Sequence, residues 1–208
     1  METKVTLTDL AVLDKSYYQA GAAAEIRDLD KYFYLSMAGK CAPEHADFTQ
    51  AIQTIYAVAH GIKFQCKGED NDFVIPKMEC HWFIEGGLEV QHLFMETPRE
   101  EWCWNLLIRM PDQVDEGHFF RAIGDLKDKD EADDRYDQVK FELINEGKCV
   151  QVLHVGSWDE EGPSLGKIFS LIEAEGLTVR GYHKEIYLSD PNEVEEAEKQ
   201  TILRYQVQ

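Results

Sequence analysis

Three side chains able to do chemistry alternate in the stretch GYHKEIYLSDP, residues 181–191: His183, Glu185 and Tyr187. In an extended chain successive side chains point to opposite faces. These three therefore share one face with Ser189, while Tyr182, Lys184, Ile186 and Leu188 share the other. A carboxylate between an imidazole and a phenol can deprotonate a water or pair with a cation. It can also simply meet solvent on a one-sided sheet, and alternation leaves these readings open. Trp82, Trp102 and Trp104 sit on two strand-like stretches. Aromatic walls around a carboxylate suit flat lipophilic or cationic ligands, though a strand tryptophan is equally at home in a core. Tyr56 and Phe64 on a helix, His154 beside a Gly turn and Trp158 just after it could reach the same place. His81, His154 and His183 also fit ordinary surface or hydrogen-bonded roles.

Known catalytic fingerprints are missing: there is no GxSxG, P-loop, HExxH or dinucleotide motif, and GPSLG (162–166) lacks nucleophile-elbow spacing. The five cysteines (Cys41, Cys66, Cys80, Cys103, Cys149) show neither CxxC nor zinc-ligand spacing. They imply no disulfide framework, metal or cofactor, and fit buried thiols in a reducing cytosol. With 21 basic and 40 acidic residues the net charge is −19. That surface disfavours nucleic acid and anionic membranes, and is compatible with solubility, cation attraction or nucleic-acid mimicry. No apolar run approaches the ~18 residues of a membrane span, and the N-terminus lacks signal-peptide character. A soluble cytoplasmic protein is expected, and no helix-turn-helix or basic region precedes the domain.

The elements that must position these residues follow from periodicity. Residues 1–30 read as a weakly patterned leader, and 32–40 as a strand ending in a Gly turn. Phe48, Ile52, Ile55 and Ala59 mark a helix over 44–64. Strands are predicted at 72–83, with Pro76 suggesting an edge or bulge, and at 100–111. A helix is predicted over 115–129, running into an acidic linker through 137. The stretch 139–157 reads as a hairpin around NEGK. A helix over 159–176 has Pro163 in its first turn and Gly176 as C-cap. The opening strand, an acidic loop at 192–199 and a last strand at 201–208 complete the chain. Each half thus runs strand, helix, strand, strand. Two βαββ units, about 31–138 and 139–208, would make one α+β domain over 1–208. Its sheet would be mainly antiparallel, with helices on one face and a ligand cleft between the halves. On that arrangement the helices cover the face of Ile186 and Leu188, and Glu185 looks the other way.

HVGSWDEEGPSLGKIFSLIEAEGLTVRGYHKEIYLSDP with TILRYQV (154–207) resembles the C-terminal half of GyrI-like small-molecule-binding proteins. HWF (81–83), WCWNLLIRMPD (102–112) and KFELINEGKCVQVLHVG (140–156) resemble its stand-alone members. The resemblance implies the duplicated, SHS2-like βαββ fold, and relatives that are drug-responsive effector domains or a gyrase inhibitor. It makes Glu185 the pocket carboxylate. The tryptophan pattern is similar to cyclopropanoid cyclopropyl hydrolases, which open the cyclopropane of DNA-alkylating natural products inside an aromatic cage. Two departures stand out: Gly156-Ser157-Trp158 replaces the family's Gly-Pro-Tyr, and Arg204-Tyr205-Gln206-Val207 replaces its RQPV.

On that resemblance Glu185 would activate water and Tyr187, or else His154, would hydrogen-bond the ligand carbonyl. Tyr56, Trp82, Trp102, Trp104, His154 and Trp158 would join Glu185 and Tyr187 in binding a lipophilic aromatic small molecule. No metal or cofactor is required, and a monomer or weak homodimer is expected. A non-catalytic sponge for xenobiotics and a gyrase inhibitor are the alternatives.

Overall fold

The computed structural model of the chain describes residues 7–129, 134–190 and 193–208. Two four-residue helices, α1 (Leu10–Leu13) and α2 (Lys15–Tyr18), precede a 16-residue strand β1 (Glu25–Lys40). Then come α3 (Ala46–Gly68), β2 (Met78–Phe83), β3 (Cys103–Arg109) and α4 (Glu116–Lys129). The remainder is β4 (Lys140–Val155), α5 (Gly162–Ala174), β5 (His183–Tyr187) and β6 (Gln200–Gln206). Local chemistry sets the helix ends. His45 Nδ1 accepts from the Asp47 N–H at the start of α3. At the end of α5, Gly176 takes φ +65°, Leu177 N–H bonds the Ile172 carbonyl and Gly176 N–H that of Glu173, a Schellman closure. Residues 130–133 of the acidic linker, residue 191 at the end of the opening stretch and residue 192 of the acidic loop lie outside the described residues, as do 1–6.

The sheet is α+β in company but closed on itself: the six antiparallel strands run β1-β3-β2-β5-β6-β4, and β4 returns to β1. This corrects the expectation of an open sheet with one free face. The predicted hairpin at 139–157 is one continuous strand. Gly147 does take the turn-like φ of +60°, but it stays paired opposite Leu29 of β1. β1 also begins inside the predicted leader.

Closure gives each strand an inner and an outer face. α3 packs on the outer face against Leu35, Met37, Leu106 and Ile108. α5 covers Val150, Val152 and Leu203. Ile186 faces inward with Tyr34, Leu107, Cys149 and Ile202, and the leader supplies Tyr17 and Tyr18 to fill this interior. Leader residues are therefore part of the core.

The interior is also charged. Lys184 Nζ lies 2.9 Å from Glu79 Oε2 and bonds Glu146 Oε1. Tyr17 Oη donates to Glu79 at 2.7 Å and Tyr34 Oη to Glu146 at 2.8 Å. Arg204 stacks over the Tyr17 ring at 4.3 Å and donates to Gln151 Oε1 at 2.7 Å. Two carboxylates are thus matched by two cations, the condition under which such groups survive burial.

Gly39 tests the outer packing. It pairs with Trp104, and a Cβ added there would stand 2.2 Å from the indole ring. Gly39→Ala is expected to cost about 1–3 kcal/mol through overpacking, read as a lower Tm. An unchanged Tm would contradict this packing.

Candidate active site

β5 is the strand the opening residues predicted. Its neighbours place Cys80 opposite Glu185 on one side and Leu203 on the other. Ile186 and Lys184 turn inward, so His183, Glu185 and Tyr187 turn outward, on the same side as the helices. The sequence-based geometry had the helices on the wrong face of this strand. α3 and α5 do not meet over it, and the gap between them is a cleft of about 1780 Å³ above the β2–β5 pair.

The walls are aromatic. Trp82, Trp102, Trp158 and Tyr56 line the cleft, with Phe48 of α3 and Phe169 of α5. Each cleft tryptophan has its N–H committed within the protein. Trp82 donates to Tyr187 Oη at 3.0 Å, Trp102 to the Thr97 carbonyl at 3.1 Å and Trp158 to Thr201 Oγ1 at 3.0 Å. Those bonds orient the rings and leave π-faces rather than polar edges for a ligand. Phe94, in the 3-10 segment Leu88–Glu96, packs 4.2 Å from Trp102.

Glu185, Tyr187 and His183 form the floor, and Glu185 is only 8 % exposed. Glu161, at the N-terminus of α5, meets them there. His183 Nε2 stands 3.3 Å from Glu185 Oε1 and 3.4 Å from Glu161 Oε2. Burial opposes charge on the imidazole, but its bonds and charge interactions with the two carboxylates outweigh this and push it up to about 9. It is an imidazolium at neutral pH. Burial, then the like charge of Glu185, raises the Glu161 carboxyl, with His183 pulling the other way. Burial and the neighbouring charge of Glu185 push the Tyr187 phenol well above 10. That phenol keeps its proton: its oxygen accepts from the Trp82 N–H and its O–H is left as a donor. Glu161 Oε1 and both ring nitrogens of His183 are buried without a hydrogen-bond partner among the described residues, so Nε2 meets the two carboxylates as a charge pair. One donor atom from each of Glu161, His183 and Glu185 lies within 4.8 Å of the others, close enough to enclose a cation as well as to share a proton.

Two predicted ligand contacts are elsewhere. Trp104 is buried in the core, donating to Cys41 Sγ at 3.3 Å with Phe48 against its face, and does not line the cleft. His154 is also outside the lining. Its ring bonds Ser164 Oγ at 3.1 Å and the Ser157 carbonyl at 2.9 Å, tying the end of β4 to the start of α5. It anchors the segment that carries Glu161. Phe64 is 80 % exposed on α3, away from the cleft. Sequence reasoning missed Glu161, whose only signal was the acid pair before Pro163, and left His183 outside the site although it shares the face of Glu185.

A family profile described as the GyrI-like small molecule binding domain matches residues 100–207. Among solved structures, an uncharacterized conserved protein from Listeria innocua is 30% identical with a TM-score of 0.86, over 97% of this chain and 100% of that one. A hydrolase from Listeria innocua is 30% identical with a TM-score of 0.84, over 98% and 100%. The EcmrR C-terminal domain is 13% identical with a TM-score of 0.55, over 89% and 96%, and shares the fold alone. No curated protein matches the chain.

Proposed function

The chain belongs to the GyrI-like small-molecule-binding family, and we propose that it takes flat, lipophilic aromatic xenobiotics into the cleft between α3 and α5 and hydrolyses cyclopropanoid DNA-alkylating compounds there. The observation that carries this is the buried carboxylate and protonated phenol side by side beneath fixed indole faces. A strained cyclopropane conjugated to a carbonyl needs three things. Its flat body must be held, by stacking on Trp82, Trp102 and Trp158. Its carbonyl oxygen must be stabilised as it becomes a phenolate, by the Tyr187 hydroxyl, which Trp82 fixes in place. Water must be aimed at the CH2, by Glu185.

Element order supports reading the cleft as the junction of two βαββ units, since α3 and β2 come from the first half and α5 and β5 from the second. The five free, buried cysteines accord with a reducing, cytoplasmic setting. Among the described residues no helix is long and apolar enough to cross a membrane.

A second reading, a non-catalytic sponge for lipophilic cations, is favoured by the two floor carboxylates facing one histidine. The two part on one experiment. Incubation with a cyclopropanoid alkylator is expected to yield a product heavier by one water, in several equivalents per protein. Saturable quenching of tryptophan fluorescence with no such product would leave the sponge.

A further inference from the structure

A flat ligand needs a free indole face, and one face of Trp102 is taken. The Phe94 ring lies 4.2 Å from it between centroids with the planes 30° apart, close to an offset stack. The Arg99 guanidinium also lies over the indole, at 5.1 Å. Phe94 and Trp102 both line the cleft, so Phe94 occupies a stacking place that this wall would otherwise offer. The segment that carries it is unlike the rest of the fold. Leu88–Glu96 is nine residues of 3-10 helix, and none of them is buried. Runs of this helix beyond about three or four residues are uncommon, because its hydrogen bonds are poorly aligned.

The segment is held at its ends. Glu85 pairs with Lys40 at 2.9 Å on one side. On the other, the Thr97 carbonyl accepts from Trp102 at 3.1 Å and Arg99 pairs with Glu44, just ahead of α3, at 2.8 Å. Between those ends, among the described residues, the hydrogen bonds of residues 86–96 run only within 84–97. Gln91 supplies the latch. Its Oε1 accepts from the Ile84 N–H at 2.9 Å, and its Nε2 donates to the carbonyls of Ile84 and Gly87 at 2.8 and 2.7 Å. Gly86 and Gly87 take φ of +118° and +91°, a region other residues rarely enter, so the chain can turn sharply as it leaves β2. Exposure, few outside bonds and a glycine pair at the root mark a unit that opens at low cost.

We propose that residues 86–96 are a strap whose Phe94 stands in for the ligand, and that a flat aromatic enters by displacing Phe94 from Trp102 as the strap swings on Gly86 and Gly87. The inference rests on the reading of the cleft as a site for flat aromatics, and it holds whether or not the ligand is then hydrolysed. With the strap shut, the indole face is kept from water. With it open, the face is exposed to a ligand. The protein therefore binds more weakly than a permanently open cleft, by the fraction of time the strap is open.

The probe is acridone, a neutral flat tricycle, titrated by fluorescence against wild type, Phe94→Ala and Gln91→Ala. Stopped-flow association and hydrogen exchange of residues 86–96 accompany it. Neither substituted residue is buried, so both variants should fold. Phe94→Ala should bind acridone roughly 2- to 12-fold more tightly, the range that one aromatic pair is worth. Gln91→Ala keeps the Phe94 ring but loses the latch, and should associate faster. In wild type, acridone should speed exchange in residues 86–96. Weaker binding by Phe94→Ala, or slower exchange, would show Phe94 closing on the ligand as a wall, and would overturn the proposal. So would an unchanged affinity in Phe94→Ala or an unchanged association rate in Gln91→Ala. No binding by any of the three would instead remove the flat-aromatic reading of the cleft, and the strap's role with it.

Discussion

Glu185→Gln is expected to abolish ring opening, by about 10²–10⁴-fold, while the protein still folds and still binds a neutral flat aromatic. The amide keeps the shape of the side chain but cannot accept a proton from water. Binding should persist because stacking and area burial come from Trp82, Trp102, Trp158 and the helix residues, none of which depends on the carboxylate. The check is turnover by mass spectrometry beside tryptophan quenching on the same samples. Equal turnover in wild type and variant would show that Glu185 is not the base. Loss of binding to a neutral ligand with loss of turnover would show that it shapes the cleft instead. A cationic ligand should weaken in the variant whichever reading holds, so it is the wrong probe for this question.

The second large effect is on stability. Lys184→Ala should destabilise the fold by about 3–5 kcal/mol, because it leaves Glu79 and Glu146 as buried carboxylates without their shared cation. Arg204 remains nearby but is committed to Gln151 and the Tyr17 carbonyl. Urea unfolding measures the loss, and a change under 1 kcal/mol would contradict the closed, charged interior. The pH dependence has a definite sign. Burial alone would raise the Glu146 carboxyl, but Lys184, Arg204 and hydrogen bonds hold it far below its ordinary value. Its contribution is therefore full above the unfolded carboxylate pKa of about 4.3 and is lost as the pH falls below that. Without Lys184 the acid limb of the stability curve should move to higher pH.

Alternation in residues 181–191 placed His183, Glu185 and Tyr187 together, and they are together. Which side the helices take was not legible. In a closed sheet with helices outside, both faces of β5 are buried, so apolar pattern cannot tell them apart. Lys184 was the discordant residue, on the face assigned to core. Its partners Tyr17, Glu79, Glu146 and Tyr34 come from four separate segments, and only the fold assembles them. Trp102 and Trp104 illustrate the other limit. Two residues apart, they read as one face, yet Trp102 precedes the first residue of β3 and opens to the cleft, while Trp104 is pressed beneath Gly39. NEGK has turn composition because Gly147 does need positive φ, but ladder pairing with β1 keeps the strand intact. His154 was chosen for its chemistry, and the structure commits one of its nitrogens to the turn before α5 and the other to Ser164 in the first turn of α5.

The account stands most directly on the origin of the oxygen in the product. Reaction of a cyclopropanoid with a small amount of the protein in H2¹⁸O should give many equivalents of ring-opened product, each carrying one ¹⁸O on the former cyclopropane carbon. Unchanged compound bound in the cleft, or a single equivalent joined covalently to the protein, would contradict it.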